Sequence, residues 1–109
     1  MLKYSEIATV FNDNNINIYE YVDETNEDIT LPLLVYIAQD GEGFEADSVN
    51  YIKFINVAIV MIDETMNFAM QRKIENILYD NEVYFEKNTT FSEEERLYSV
   101  TYTIQVFDE

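Results

Sequence analysis

Residues 51–80 constrain the fold of this chain more than any other stretch. They open with a run, residues 51–62, that is almost entirely apolar and rich in β-branched side chains, which predicts a long strand buried on most of both faces. Asp63, Glu64 and Thr65 interrupt this run. Large apolar residues then recur at three- and four-residue steps, as in an amphipathic helix: Met66, Met70, Ile74, Ile77 and Leu78. We therefore expect a core strand followed by a helix that packs back onto the sheet.

The composition suits one small domain spanning residues 1–109, with 48% hydrophobic residues to form a core. The chain has no cysteine and no histidine, so it lacks thiolate chemistry, the commonest general base and the commonest metal ligand. Its first residues lack the apolar segment of a signal peptide. The run at 51–62 is too short to cross a bilayer and carries Lys53 and Asn56, so no membrane span is expected.

The chain is strongly acidic, with 22 Asp and Glu against 6 Lys and Arg and a net charge of −16. Such a surface repels phosphate, so neither direct nucleic-acid binding nor binding to an anionic membrane is expected. Three interpretations remain open at this point. The charge keeps a small protein soluble, it lines a passage through which DNA slides, or it imitates DNA.

Three elements are predicted before the central strand. A short amphipathic pattern predicts a first helix up to about Asn12. Residues 16–22 alternate imperfectly and indicate a strand near a sheet edge. Residues 31–38 predict another strand, with Pro32 at its beginning because proline has no N–H to donate to a ladder.

The central helix has its own start and stop signals. Thr65 is the expected N-cap and Asn67 the second choice, and the helix should end near Asp80. Arg72 and Lys73 fall on the face opposite the apolar stripe, and Glu75 is spaced to pair with Arg72.

Two strands are predicted after this helix. Residues 83–87 indicate a short strand, and residues 88–95 a polar loop that contains Phe91. Residues 98–106 alternate strictly, which predicts a strand with one buried face. Its apolar members are Tyr98, Val100, Tyr102, Ile104 and Val106. The alternating Ser and Thr row faces either solvent or a neighbouring subunit.

The order helix, strand, strand, long strand, helix, strand, strand predicts an α+β fold. We expect a mixed, mostly antiparallel sheet with the N-terminal helix and the central helix packed on it.

No motif of catalysis is present. The chain lacks a phosphate-binding glycine loop, a nucleophile elbow and metal-ligand spacing, and Asp40-Gly41-Glu42 lacks the rest of a calcium loop. Carboxylates are the only abundant reactive groups, and no cleft is implied for them. The sequence therefore predicts a protein that is not an enzyme and takes no cofactor.

Several segments, in order, resemble a known family. Residues 31–36, followed by residues 43–47 and Tyr51, look like its "LP-x-x-VY … F-x-AD … Y" stretch, and residues 57–61 resemble its core strand. Further matches fall in the helix and the closing segment: Glu75, Ile77, Leu78, Tyr84, Phe91, Glu94, Glu95, Leu97, Tyr98 and Tyr102. The family is that of the tail terminators, also called tail-completion or tail-to-head joining proteins, of long-tailed bacteriophages and prophages. The resemblance covers residues 31–107 and departs from the family at residues 62–67.

The resemblance implies a structural virion protein. Members form a ring, typically hexameric, on the head-proximal end of the tail tube, where they stop tube polymerisation and join the tail to the head connector. The implied partners are the tail tube protein, the connector or stopper protein and other copies of this chain. The implied locations are the virion tail and, during assembly, the host cytoplasm. DNA would pass through the ring without specific binding, and an acidic lumen would repel it.

The loop after residue 39 is the predicted partner contact. It is long for a hairpin, holds both glycines and carries a single aromatic residue as an anchor. The predicted contact residues are Asp40, Gly41, Glu42, Gly43, Phe44, Glu45, Ala46 and Asp47.

Two other functions stay open. A small acidic inhibitor that mimics DNA would need carboxylates spaced like phosphates along one face, whereas here they spread over loops and both ends. A subunit of some other assembly is the third hypothesis.

Overall fold

The computed structural model describes residues 2–21, 30–39 and 54–108. A 3₁₀ turn at Tyr4–Glu6 leads into helix α1. The longer elements are α1 (Ile7–Asp13), β1 (Tyr19–Glu20), β2 (Leu33–Gln39), β3 (Phe54–Asp63), α2 (Phe68–Asp80), β4 (Glu86–Ser92) and β5 (Leu97–Phe107).

The strands form one five-stranded sheet in the order β1-β2-β3-β5-β4. Strand β1 runs parallel to β2, and the other three pairs are antiparallel. The predicted fold class is confirmed: α+β, with a mixed, mostly antiparallel sheet, an N-terminal helix and a central helix. Pro32 lies directly before β2, where its missing N–H breaks no ladder.

One face of the sheet carries the core, and both helices contribute to it. The predicted alternation of β5 is confirmed for four residues, whereas Tyr98 is only half-buried. The fully or nearly buried side chains from the strands are Leu34, Tyr36, Val57, Ile59, Met61, Val100, Tyr102, Ile104 and Val106. Those from the helices and the segments beside them include Leu2, Ile7, Phe11, Ile74, Ile77 and Leu78. This side-chain layer fixes the helices against the sheet.

The central strand is buried on both faces only in its middle. Val57, Ala58 and Ile59 are all buried, as the apolar run predicts. Phe54 and Asn56 are exposed, so the predicted burial does not extend to the start of β3. Residues 51–53 of the predicted strand lie outside the described residues.

The predicted N-cap of α2 was the wrong one of two candidates. Asn67, not Thr65, caps the helix: its Oδ1 accepts from the Met70 N–H at 3.2 Å. Asn67 has φ 47°, a left-handed conformation that asparagine tolerates better than threonine because threonine is β-branched. Its Nδ2 donates to Asp63 Oδ2 at 2.8 Å, so the last residue of β3 holds the cap in place.

Helix α2 ends in a Schellman motif. The Glu82 N–H donates to the Tyr79 carbonyl at 3.0 Å, and the Val83 N–H donates to the Leu78 carbonyl at 2.9 Å. Glu82 has φ 59°, so a glutamate occupies the left-handed position where glycine is most common. Val83 is buried and anchors the linker that leads to β4.

The predicted boundaries of the next strand were wrong. Strand β4 is Glu86–Ser92, not residues 83–87, and only Glu93 to Arg96 form the turn before β5. All seven residues of β4 are exposed, so no buried face imposes an alternating pattern on its sequence. The strand forms because it pairs along its whole length with β5, from Glu86 opposite Thr103 to Ser92 opposite Leu97.

The N-terminal strand is shorter than predicted. Within residues 16–22 only Tyr19–Glu20 pair with β2, at the sheet edge, and Val22 lies outside the described residues. Ile16 and Ile18 are buried, so this segment is held mainly by packing.

Candidate functional site

The predicted contact loop lies outside the described residues. None of Asp40, Gly41, Glu42, Gly43, Phe44, Glu45, Ala46 and Asp47 belongs to the described part of the chain. The ends that flank residues 40–53 are described: Gln39 pairs with Asn56. At that end of the sheet, the Phe54 and Phe107 rings stack with centroids 5.1 Å apart. The loop's role as a contact therefore stays a prediction.

The sheet face opposite the helices is the first candidate surface, here called the open face. Within the described residues no helix packs on it, and its central side chains are half-buried by their neighbours in the sheet. One lateral half is aliphatic: Leu33, Val35, Ile37, Val60 and Ile62. The other half is polar: Asn88, Thr90, Ser99, Thr101 and Thr103. The Ser and Thr row of β5 therefore lies on the uncovered side, and what it faces is still open.

The edge strand β4 is the second candidate surface. Within the described residues it pairs only with β5, which leaves its other edge with unsatisfied backbone groups for pairing. Phe91 is exposed and its ring lies 4.7 Å from that of Tyr98. The turn that follows is closed by the Arg96 N–H, which donates to the Ser92 carbonyl at 2.7 Å. Within the described residues this hairpin therefore ends in a hydrogen-bonded turn and has one unpaired edge.

Three side chains tie β4 to helix α2, and we call them the Glu75 cluster: Glu75, Lys87 and Tyr102. The Tyr102 hydroxyl donates to Glu75 Oε2 at 2.9 Å, and Lys87 Nζ donates to the same oxygen at 2.8 Å. Lys87 and Tyr102 are directly paired across β4 and β5. Tyr102 is fully buried, whereas the Lys87 and Glu75 side chains are 37% and 22% exposed.

The electrostatics of this cluster favour an ionised glutamate and a neutral tyrosine. Burial by itself raises the pKa of Glu75, but the hydrogen bonds from Lys87 and Tyr102 and the charges of Lys87 and Arg72 outweigh it, so the pKa is lowered. Burial, and then the bond to Glu75, raise the pKa of Tyr102. At neutral pH the cluster therefore holds an ionised Glu75 that accepts from Lys87 and from a neutral Tyr102, and it cross-links helix α2 to strands β4 and β5.

The predicted pair of Glu75 with Arg72 is replaced by this cluster. Glu75 pairs with Lys87, twelve residues away, and Arg72 acts on it only as a nearby charge. Sequence spacing missed the cluster because its members come from a helix and two strands. A β-branched and aromatic signal at Thr89, Thr90 and Phe91 was the one available indication of β4.

Neither a metal site nor a membrane span is found in the described segments. No group of three or more His, Cys, Asp or Glu side chains is arranged there to hold a metal ion. No helix among the described residues is long and apolar enough to cross a membrane.

The fold is that of a small α+β protein in which, among the described residues, both helices pack on one face of the sheet and the edge strand β4 pairs only with β5. Comparison with protein-family models, with curated proteins and with solved structures finds no match for the chain.

Proposed function

We propose that this protein is a structural subunit of a ring that caps the head-proximal end of a phage tail tube. In this role it stops tube polymerisation and joins the tail to the head connector, and DNA passes through the ring. The observation that carries the proposal is the uncovered sheet. Within the described residues, no helix packs on the aliphatic half of the open face and the seven-residue strand β4 has one unpaired edge, and such surfaces are typical of assembly.

The positions of these surfaces favour a ring over a two-fold dimer. The aliphatic half of the open face lies on β2 and β3, whereas the open edge is β4, on the opposite side of the sheet. A contact between two different patches is heterologous, and repeated heterologous contacts form a ring when the rotation between neighbours closes, whereas a two-fold dimer needs one patch that pairs with itself. The element order also agrees with the mixed sheet flanked by helices that the family resemblance implies.

The charge is compatible with a lumen for DNA. The described acids are spread over several elements, with groups around the N-terminal helix, near each end of α2, and at the hairpin tip in Glu93, Glu94 and Glu95. A negative wall repels phosphate, so DNA would slide along it. A DNA mimic would instead need its carboxylates aligned on one face. The described acids are spread over several elements, which disfavours this function.

Deletion of the gene from its parent phage or prophage tests the proposal. We expect electron micrographs of the lysate to show filled heads beside separate, unjoined or overlong tails. Normal joined virions would contradict the proposal and direct the search to a basic DNA-binding target.

Complementation of the deletion with variant genes tests whether head-to-tail joining depends on the open face. The wild-type gene should restore joining, whereas Val60→Lys, which places a charge on the aliphatic half of the open face, should not. The matched control is Lys73→Glu on the exposed face of α2, which should restore joining as the wild type does. The purified Val60→Lys protein must still unfold cooperatively for this comparison to count.

A further inference from the structure

The linker between α2 and β4 contains a surface groove that the ring proposal does not use. The groove has a volume of about 420 Å³ and is lined by Tyr79, Glu82, Val83, Tyr84 and Phe85. We call it the Tyr84 groove. Tyr84 is 93% exposed and Tyr79 is 64% exposed, so these two aromatic side chains stand largely in solvent.

One side of the groove, formed by Tyr79 and Phe85, is held in place by packing. The Phe85 ring lies 5.8 Å from Tyr79 on one side and 5.3 Å, edge-on, from the buried Tyr102 on the other. Tyr102 is fixed in turn by its hydrogen bond to Glu75. Val83 is buried and closes the Schellman motif. The Tyr79 and Phe85 side of the groove is therefore preformed, which lowers the entropic cost of binding there.

The charge around the groove is negative. Glu82 lines it, Asp80 precedes it on the helix, and neither lysine nor arginine is among its lining residues. Glu82 keeps a carboxylate at a backbone position where φ is 59° and glycine would be free of strain. Residues held in such conformations are often functional. Exposed aromatic faces beside a carboxylate form a site for a cation rather than for an anion or a purely apolar group.

A second groove continues along the sheet. It has a volume of about 440 Å³, and Tyr84 and Phe85 line it together with Glu86, the first residue of β4, and residues of β3 and β5. Tyr84 thus stands between two grooves, and the second one runs past the start of β4 onto β5 and β3. An extended chain lying here would reach both the aromatic groove and the stretch of β5 beyond Thr103, with which β4 does not pair.

We propose that the Tyr84 groove binds an arginine side chain presented by an extended segment of a partner protein. The planar guanidinium stacks on the Tyr79 or Tyr84 ring and donates to the Glu82 carboxylate, a combination that suits arginine better than lysine. The partner is basic at this contact, which complements the net charge of −16. The inference does not rest on the ring, because the groove belongs to a single subunit.

The test is a titration of the ¹⁵N-labelled protein with the peptide Ac-Gly-Gly-Arg-Gly-Gly-NH₂ at about 0.15 M salt, where long-range attraction is screened. We expect saturable amide shifts centred on Tyr79, Glu82, Tyr84 and Phe85. The same peptide with citrulline, a neutral isostere of arginine, should bind more weakly. Equal binding of the citrulline peptide would overturn the proposal.

Variants locate the site. Tyr84→Ala and Glu82→Gln should each weaken binding of the arginine peptide about three- to five-fold, the size expected of an exposed cation–π contact. Tyr19→Ala and Glu64→Gln remove another exposed tyrosine and another exposed acid elsewhere and should leave the affinity unchanged. Unchanged affinity in Tyr84→Ala, or tighter binding of spermidine at the same residues, would contradict a protein-borne arginine as the ligand.

Discussion

Glu75 has an unusual position among the described acids, because a buried hydroxyl and an ammonium group both donate to one of its oxygens. Hydrogen bonds to a charged group stabilise a fold more than neutral ones do. The fully buried Tyr102 has no other acceptor recorded for its hydroxyl among the described residues. We therefore expect the stability of the fold to depend on this single carboxylate.

Removal of the Tyr102 hydroxyl should measure that contribution. Tyr102→Phe keeps the buried ring and loses the donor to Glu75, so we expect the free energy of unfolding to fall by about 1–2 kcal/mol. Lys87→Met, which removes a partly exposed ion pair, should cost at most about 1 kcal/mol. Urea unfolding of both single variants and the double variant gives the coupling free energy between the two interactions with Glu75. Equal effects of the two changes would contradict the ranking.

The pH dependence follows from the pKa shifts of the same two residues. The pKa of Glu75 is lowered in the folded protein, so its contribution is present above the unfolded value of about 4.3 and is lost as the pH falls through the folded pKa. The pKa of Tyr102 is raised, so its contribution is present below about 10 and is lost as the pH rises. We expect the stability difference between wild type and Glu75→Gln to shrink below about pH 4. Urea unfolding across that range checks this, and a difference that grows on acidification would contradict it.

At the scale of elements, both ends of helix α2 are set by residues in left-handed conformations. Asn67 suits its place, because asparagine adopts that conformation readily and its side chain caps the helix. Glu82 at the other end adopts a left-handed conformation that is sterically unfavourable for glutamate and that glycine adopts without cost.

Substitution of Glu82 by glycine should therefore stabilise the protein. Glu82→Gly removes the steric cost of the left-handed conformation, less the extra entropy that glycine has in the unfolded chain, for a net gain of about 0.5–1 kcal/mol. Glu86→Gly removes the same charge from an extended strand position and should lower the stability. Thermal unfolding of the two variants compares them directly, and a fall in Tm for Glu82→Gly would contradict the prediction.

The elements that sequence reasoning identified are those with a buried face. The alternation around Val100 and Ile104 and the stripe through Ile74 and Leu78 both persist in the fold because burial selects apolar residues at fixed steps. Strand β4 was misplaced because it buries no face, so only pairing with β5 defines it. The cap was misplaced because side-chain type favoured Thr65, whereas the backbone conformation decided for Asn67.

Of the candidate surfaces, one was visible in the sequence and two were not. The Ser and Thr row of β5 was visible in the sequence, since it is the other half of the alternation. The aliphatic half of the open face could not be told from core in the sequence. Its outward residues are mostly Val and Ile, so these strands have the composition of strands that are buried on both faces. The Tyr84 groove depends on the packing of Phe85 between Tyr79 and Tyr102, which no local pattern specifies.

At the scale of the whole molecule, the charge of −16 opposes compaction. Added salt should therefore stabilise the fold, since the screening length falls from about 30 Å at 0.01 M to about 3 Å at 1 M. We expect the Tm to rise with NaCl over this range. A variant with Glu93, Glu94 and Glu95 changed to Gln should start from a higher Tm and rise less. A Tm that is independent of salt in the wild type would show that the charges are too far apart to matter.

The exposure of β4 has a consequence for amide hydrogen exchange. The strand is anchored near its start by Lys87 in the Glu75 cluster and near its end by the contact of Phe91 with Tyr98, but between them it has no buried side chain. Opening of the hairpin then costs little beyond breaking the β5 pairing, so its amides should exchange by local opening, well before those of β3. If a partner adds a strand at this edge, the slowing of exchange in residues 86–92 would record the binding without any change elsewhere in the sheet.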